Sequence, residues 1–140
     1  MASSQNEYIY HLISKMLDSL VEEKKKLPKN QKKYKNFNVK INLGLQIDKE
    51  AFEWFNLTFN DGLHNLEKGK LETNYDLTLK VAPEDLLFFC NGENSVLHML
   101  LKKNKYGKRK LRFSKGTTGR NLFKLLKLSK LIVLDKNRPD

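Results

Sequence analysis

The chain has 140 residues, of which 39% are hydrophobic and 10% aromatic; this is enough for one core without metals or disulfides and excludes a wholly disordered chain. The formal net charge of +11 favours an anionic partner, with nucleic acid and an acidic membrane as the candidates. Cys90 is the only cysteine, and the amino terminus lacks a basic stretch followed by an apolar run, so we expect a cytoplasmic protein. No segment reaches the roughly 18 apolar residues that a membrane-spanning helix needs.

The first predicted elements are an amphipathic helix and a loop. Apolar residues recur in pairs every four residues from Tyr8 to Val21, with polar residues between them, and this spacing predicts a helix within residues 1–27. Pro28 is expected to end that helix. Residues 28–38 are rich in lysine and are interpreted as a basic loop.

Three strands are predicted next. Residues 39–48 alternate strictly between apolar and polar side chains, which is typical of a half-buried strand. Residues 54–59 continue as a second strand, and the turn sequence Asn-Asp-Gly at residues 60–62 precedes a short third strand at 64–66. The short connections predict an antiparallel meander.

Strands and helices alternate over the rest of the chain. The pattern predicts a strand at 75–81, a short apolar helix at 86–90, a helix capped by Ser95, a strand at 108–113 and a terminal helix at about 120–132. The terminal helix has apolar residues over more than one face, so we expect it to bury two sides, or one side and a ligand.

Basic residues concentrate in two blocks that contain no acid. Residues 24–40 hold eight lysines, and residues 94–134 hold twelve lysines and arginines. This asymmetry predicts one positive face. Aromatic residues lie between the lysines, which would suit nucleic acid, but no nucleic-acid-binding motif is present. The alternative is that lysine only keeps the fold soluble and monomeric.

The sequence shows no catalytic or metal-binding constellation. His11, His64 and His98 fall in three different predicted elements, and none has a partner at metal-ligand spacing. Cys90 follows two phenylalanines and is interpreted as a small buried hydrophobe rather than a reactive thiolate. We therefore predict no enzyme activity, no metal and no cofactor.

Residues 75–92, with the sequence YDLTLKVAPEDLLFFCNG, resemble the most recognisable segment of the sterol carrier protein type-2 family. In that family a strand of alternating hydrophobics leads into a helix start, an apolar helical turn and a glycine. Residues 95–101 look like the family's next helix, 110–113 like its following strand, and 116–126 like its glycine-led C-terminal helix. The order of elements matches over about residues 39–132.

The resemblance implies an α/β (α+β) fold with a five-stranded, mainly antiparallel sheet that helices cover on one face. It implies a single sterol-carrier-like domain over residues 1–140, with the sheet and its helices in residues 39–134, and we expect a monomer. A tunnel between sheet and helices would hold a sterol, a fatty acid, an acyl-CoA or a phospholipid tail without catalysis.

The residues that would line this tunnel are large apolar side chains of the last three predicted helices. They are Leu86, Phe88, Phe89, Leu97, Leu100, Leu101, Leu122, Phe123 and Leu126. The connection at residues 102–109 is longer and more basic than that of the family. Its cations and the next lysine are predicted to dock transiently on an anionic membrane surface. They are Lys102, Lys103, Lys105, Lys108, Arg109 and Lys110.

Two other hypotheses stay open. The same apolar residues could fill an ordinary core, and the fold would then serve as a basic module that binds nucleic acid or protein. The domain could also deliver an acyl substrate to a partner enzyme.

Overall fold

This computed structural model describes residues 2–117 and 122–133, with side chains from residue 7 onward except that of Leu122. The helices of the described residues are α1 (Ala2–Lys25), α2 (Pro28–Lys35), α3 (Pro83–Cys90), α4 (Val96–Leu101) and α5 (Leu122–Ile132). Their strands are β1 (Val39–Gln46), β2 (Phe52–Asn60), β3 (Leu63–Lys68), β4 (Leu77–Val81) and β5 (Leu111–Lys115). No described helix is long and apolar enough to cross a membrane.

The first helix, α1, is the predicted amphipathic helix. It buries one apolar stripe, which includes Ile13 and Leu17, and its last turn carries lysines where a cation offsets the negative end of the helix dipole. The helix packs along β3, where its Asp18 carboxylate lies 2.6 Å from the ring Nε2 of His64. This contact fixes the first helix over one edge of the sheet.

The basic loop predicted at residues 28–38 is wrong over most of its length, because Pro28–Lys35 form helix α2. Proline is tolerated in the first helical turn, where its missing N–H has no partner to lose. The side-chain amide of Asn30 donates to the Lys24 carbonyl over 2.9 Å. This bond satisfies a backbone carbonyl in the last turn of α1, where the helix supplies no N–H donor of its own. Tyr34 is almost completely buried, so two side chains anchor an otherwise polar helix.

The five strands form one sheet in the order β3-β2-β1-β4-β5. β1 pairs antiparallel with β2 and parallel with β4, while β2–β3 and β4–β5 are antiparallel. The predicted meander is therefore confirmed, and so is the mainly antiparallel α+β fold. At the β2–β3 turn Asp61 and Gly62 have φ values of 50° and 84°, the left-handed pair that a two-residue hairpin turn requires.

One face of the sheet, which we call the core face, carries the alternating apolar residues of the strands. On β1 these are Val39, Ile41, Leu43 and Leu45, and all are buried. They share one hydrophobic cluster with Leu17 of α1, Leu86 of α3, Met99 of α4 and Leu128 of α5. Helices from both ends of the chain therefore contribute to the core on this face.

The opposite face, which we call the outer face, carries mostly polar side chains, and the backbone of residues 69–71 covers part of it. Asn42 exchanges two hydrogen bonds with the backbone of Leu71, at 2.8 and 2.7 Å. The Asn56 amide donates to the Gly69 carbonyl over 3.1 Å. These bonds compensate the burial of the two amides and hold residues 69–71 against the sheet.

The last elements differ from their predicted bounds. The strand predicted at 108–113 lies at Leu111–Lys115, and the residues before it form a tight loop closed by a bridge between Lys103 and Arg109. α5 is the described part of the terminal helix predicted at about residues 120–132.

Candidate apolar ligand site

A row of paired residues across the middle of the core face becomes progressively less covered toward β5. The strand registers place Phe55, Leu43, Leu79 and Phe113 side by side. Their exposed fractions are 0%, 5% and 7% for the first three and 37% for Phe113. Phe113 therefore points to the side of the sheet that carries the core while more than a third of it stays open.

The nine residues predicted to line a tunnel occupy several environments. Leu86 and Phe89 are buried, and Leu100 is half-buried against the core. Five are exposed at the surface: Phe88, Leu97, Leu101, Phe123 and Leu126. The side chain of Leu122 lies outside the described residues. The set divides into members that belong to the core and members that could meet a ligand only at the surface.

Local sequence signals place the two short helices. α3 begins at Pro83 with Glu84 and Asp85 in its first turn, where acids favour the positive end of the helix dipole. The Ser95 hydroxyl accepts a 3.0 Å hydrogen bond from the backbone N–H of His98 and caps α4. The two helices contact each other, and α4 also contacts β5. α4 therefore lies beside the strand that carries Phe113.

The sequence reasoning missed Phe113 as a site residue. The predicted tunnel residues all lie on helices, whereas Phe113 lies on a strand. The signal that was present is the alternation Leu111, Phe113, Lys115, since residues two apart on a strand share one face.

The segment before β5, residues 102–110, is a basic loop distinct from residues 28–38, and Asn104 orders it. Its amide donates to the Gln46 side chain over 3.0 Å, and its side-chain oxygen accepts from the backbone N–H groups of Tyr106 and Lys108. The six residues predicted to dock on a membrane differ in their exposure to solvent. Lys102, Lys103, Lys105, Lys108 and Arg109 are exposed, and Lys110 is half-buried.

Ion pairs join the basic loop to α3. The ammonium of Lys110 lies 3.7 Å from the Asp85 carboxylate, and that of Lys105 lies 3.4 Å from Glu84. Burial raises the pKa of Asp85, and the positive charge of Lys110 offsets part of that effect. The carboxylate thus fixes the loop at some cost in desolvation.

The described residues offer little reactive chemistry beside the site. Cys90 is buried, as predicted, and burial raises the pKa of its thiol to about 12, so the nucleophilic thiolate is scarce at neutral pH. No three His, Cys, Asp or Glu side chains in the described part of the chain are grouped to hold a metal ion.

Comparison with known proteins gives matches only at the level of structure. No protein-family model matches the chain, and no curated protein is similar to it in sequence. A solved structure called UbiJ-SCP2 ubiquinone synthesis protein has a TM-score of 0.58 at 11% identity, covering 96% of each chain. Sterol carrier protein domain 2 of Helicoverpa armigera has a TM-score of 0.56 at 15% identity, over 83% of this chain and 84% of that one.

Other solved structures extend this likeness. Sterol carrier protein 2 from Yarrowia lipolytica has a TM-score of 0.54 at 16% identity and covers 84% of this chain and 83% of its own. The sec-alkylsulfatase Pisa1 from Pseudomonas sp. also matches, with a TM-score of 0.56 at 14% identity over 79% of this chain, which spans only 15% of the sulfatase. The chain has the sterol carrier protein 2 fold, and the sequence resemblance is confirmed at that level.

Proposed function

We propose that this chain is a non-catalytic lipid-binding module that holds an apolar tail against the core face at β5. The observation that carries the proposal is the row of core-face residues that ends in the partly open Phe113. A phenylalanine on an apolar sheet face with this exposure offers a ligand a surface that is already lined by buried side chains. The fold likeness to proteins named sterol carriers supports the same function.

The driving force is burial of the tail. Each methylene that leaves water contributes about 0.8 kcal/mol, and association costs roughly 4–15 kcal/mol in lost freedom of motion, so we expect affinity to increase with the length of the tail that is buried. Exposed Phe88, Leu97 and Leu101 are the helical side chains that such a tail would cover. A sterol, fatty acid, acyl-CoA or phospholipid tail would each satisfy this chemistry, and no cofactor is needed.

The test is lipid retention and uptake by matched variants. We expect mass spectrometry of the purified protein to detect a co-purified lipid, and a fluorescent fatty acid to bind. Phe113→Arg places a charge in the open end of the row and should weaken binding at least about tenfold. Leu101→Arg, at a side chain of α4 that is 58% exposed, tests the site with little risk to folding.

The control is Leu63→Arg, which alters another highly exposed leucine at the β2–β3 turn, paired with Asn60 on the outer face. This variant should bind the fatty acid like the wild type, and circular dichroism should show all three variants folded. Absence of retained lipid, together with equal uptake by all variants, would overturn the proposal.

We further propose that the exposed cations at residues 102–109 dock the module on anionic membranes. Each lysine near an acidic surface contributes on the order of 1 kcal/mol. Lys102→Gln/Lys103→Gln should therefore weaken binding to phosphatidylserine vesicles more than Lys15→Gln/Lys49→Gln, which removes two exposed charges elsewhere. Equal weakening by both pairs would show that net charge alone attracts the membrane.

A second candidate function, binding of single-stranded nucleic acid, is favoured by the outer face. Lys70 lies 4.3 Å from the ring centre of Trp54, while Lys80 and Arg112 lie 5.3 and 5.5 Å from that of Phe52. Aromatic rings beside cations suit base stacking and phosphate contacts. Salt-sensitive quenching of Trp54 fluorescence by an RNA oligonucleotide, lost in Lys70→Gln/Lys80→Gln, would support this function.

A further inference from the structure

A groove between α2 and α5 concentrates positive charge. Its volume is about 400 Å³, and its lining combines basic, amide and apolar side chains. The lining residues are Lys32, Lys33, Asn36, Phe37, Lys127, Lys130 and Leu131. The four lysines and the asparagine are exposed, whereas Phe37 and Leu131 are buried. The groove therefore has cationic walls and an apolar floor, with two lysines on each helix.

The charge in this groove has no partner within the described part of the chain. No acid lines the groove, and none of its four lysines forms an ion pair with a described residue. Other lysines do find acids, as when Lys26 lies 2.9 Å from Glu23. Lysines in the last turn suit the dipole of each helix, but that effect does not require both helices to present their lysines to one groove.

The walls of the groove are held together before any ligand arrives. The Tyr34 hydroxyl of α2 donates to the Leu131 carbonyl of α5. The Lys24 ammonium of α1 donates to the Val133 carbonyl over 2.8 Å. At the floor, the Phe37 ring lies 5.3 Å from that of Phe59, in the sheet. Preorganisation of this kind lowers the entropy cost of binding.

We propose that this groove binds a ligand that carries two or more phosphate groups. A singly charged anion would neutralise one of the four positive charges and leave the others repelling one another, whereas linked phosphates can meet Lys32 and Lys33 on one side and Lys127 and Lys130 on the other. Lysine binds phosphate as a point charge without strict geometry, and the Asn36 amide supplies a neutral donor. The same chemistry is present in a soluble polyphosphate and in a phosphorylated inositol lipid headgroup.

The test compares two charge-matched variants with two probes. Calorimetry at 0.15 M salt measures binding of inorganic tripolyphosphate, and sedimentation measures binding to vesicles containing phosphatidylinositol bisphosphate or phosphatidylserine at equal surface charge. Lys32→Gln/Lys127→Gln removes one cation from each wall. Lys15→Gln/Lys49→Gln removes two exposed cations outside the groove and serves as the control.

We expect the groove variant to bind tripolyphosphate at least about tenfold more weakly, the loss that removal of charged hydrogen-bond donors produces, with the control within about twofold of the wild type. Binding only to the inositol lipid, lost in the groove variant, also supports the site and assigns the ligand to a headgroup. Binding to neither probe, or equal loss in both variants, would overturn the proposal. The fatty-acid uptake assay does not depend on phosphate binding in the groove. It therefore tests the lipid-binding function separately from this proposal.

Discussion

Gly62 connects three parts of the molecule at one backbone position. Its φ is +84°, its carbonyl accepts a 3.1 Å hydrogen bond from the Lys25 ammonium of α1, and its N–H donates to the Phe37 carbonyl after α2 over 3.2 Å. A Cβ atom at this position would lie 2.5 Å from the carbonyl oxygen of Tyr34. Glycine is therefore required both by the turn and by the close approach of α2.

We predict that Gly62→Ala destabilises the protein more than Gly69→Ala does. Both glycines have positive φ, but a Cβ at Gly69 meets nothing within 4 Å. The difference between the two variants isolates the clash with α2, which should cost about 1–3 kcal/mol in the free energy of unfolding. Urea denaturation measures both values, and equal losses would mean that only backbone strain matters.

The hydrogen-bond partners of the buried amides on the outer face could not be predicted from the sequence. Asn42 and Asn56 occupy the polar side of alternating strands, where solvent is the ordinary expectation. Their partners, the backbone groups of Gly69 and Leu71, come from a connection that folds back over the sheet. Such pairing depends on the path of the chain in space, which alternation does not encode.

At the scale of elements, periodicity predicted most helices and strands, and tertiary contact decided the rest. The meander and the amphipathic first helix carry strong local patterns, so they could be predicted. α2 has no apolar stripe, since Tyr34 is the only aromatic residue among its eight, and its stability depends on contacts with α1 and α5. The parallel pairing of β1 with β4 likewise has no local signal.

The candidate site was predictable only in part for the same reason. Apolar residues in α3, α4 and α5 were visible in the sequence, but which of them face the core depends on how these short helices meet β5. Phe113 lies within the predicted strand, but the sequence pattern does not show that the covering of the core face is incomplete at this residue. The groove between α2 and α5 likewise depends on a helix where the lysine-rich sequence predicts a loop.

The link between α3 and the loop before β5 predicts a pH effect. Burial raises the pKa of Asp85 above its ordinary value of 3.8, so folding favours the protonated carboxyl. The unfolding free energy of the wild type, relative to Asp85→Asn, should be greatest below that ordinary value and should decrease as pH rises through the raised pKa. Urea denaturation of both proteins between pH 3 and 7 measures this difference; an increase with pH would contradict the assignment.

At the scale of the whole molecule, a net charge of +11 on 140 residues opposes the compact state by self-repulsion. Exposed ion pairs, such as Lys26 with Glu23, contribute little because solvent screens them. Both effects weaken with salt, but the repulsion acts among many charges at longer range. Its screening should therefore dominate.

We predict that the free energy of unfolding rises, on the order of 1 kcal/mol, when sodium chloride increases from 0.01 to 0.15 M. The Debye length falls over that range from about 30 Å to about 8 Å. Thermal denaturation in a buffer without multivalent anions measures the effect and avoids occupation of the groove. A melting temperature that falls with salt would indicate that ion pairs outweigh the repulsion.

The position of β4 in the sheet also has a kinetic consequence. β1, β2 and β3 follow one another through short connections, whereas β4 must return past two strands to reach β1. Closing that longer loop costs more chain entropy before any contact compensates it. We therefore expect the meander, with the single Trp54, to form first and the elements that carry the apolar site to assemble on it. Lipid would meet its binding surface at the end of folding.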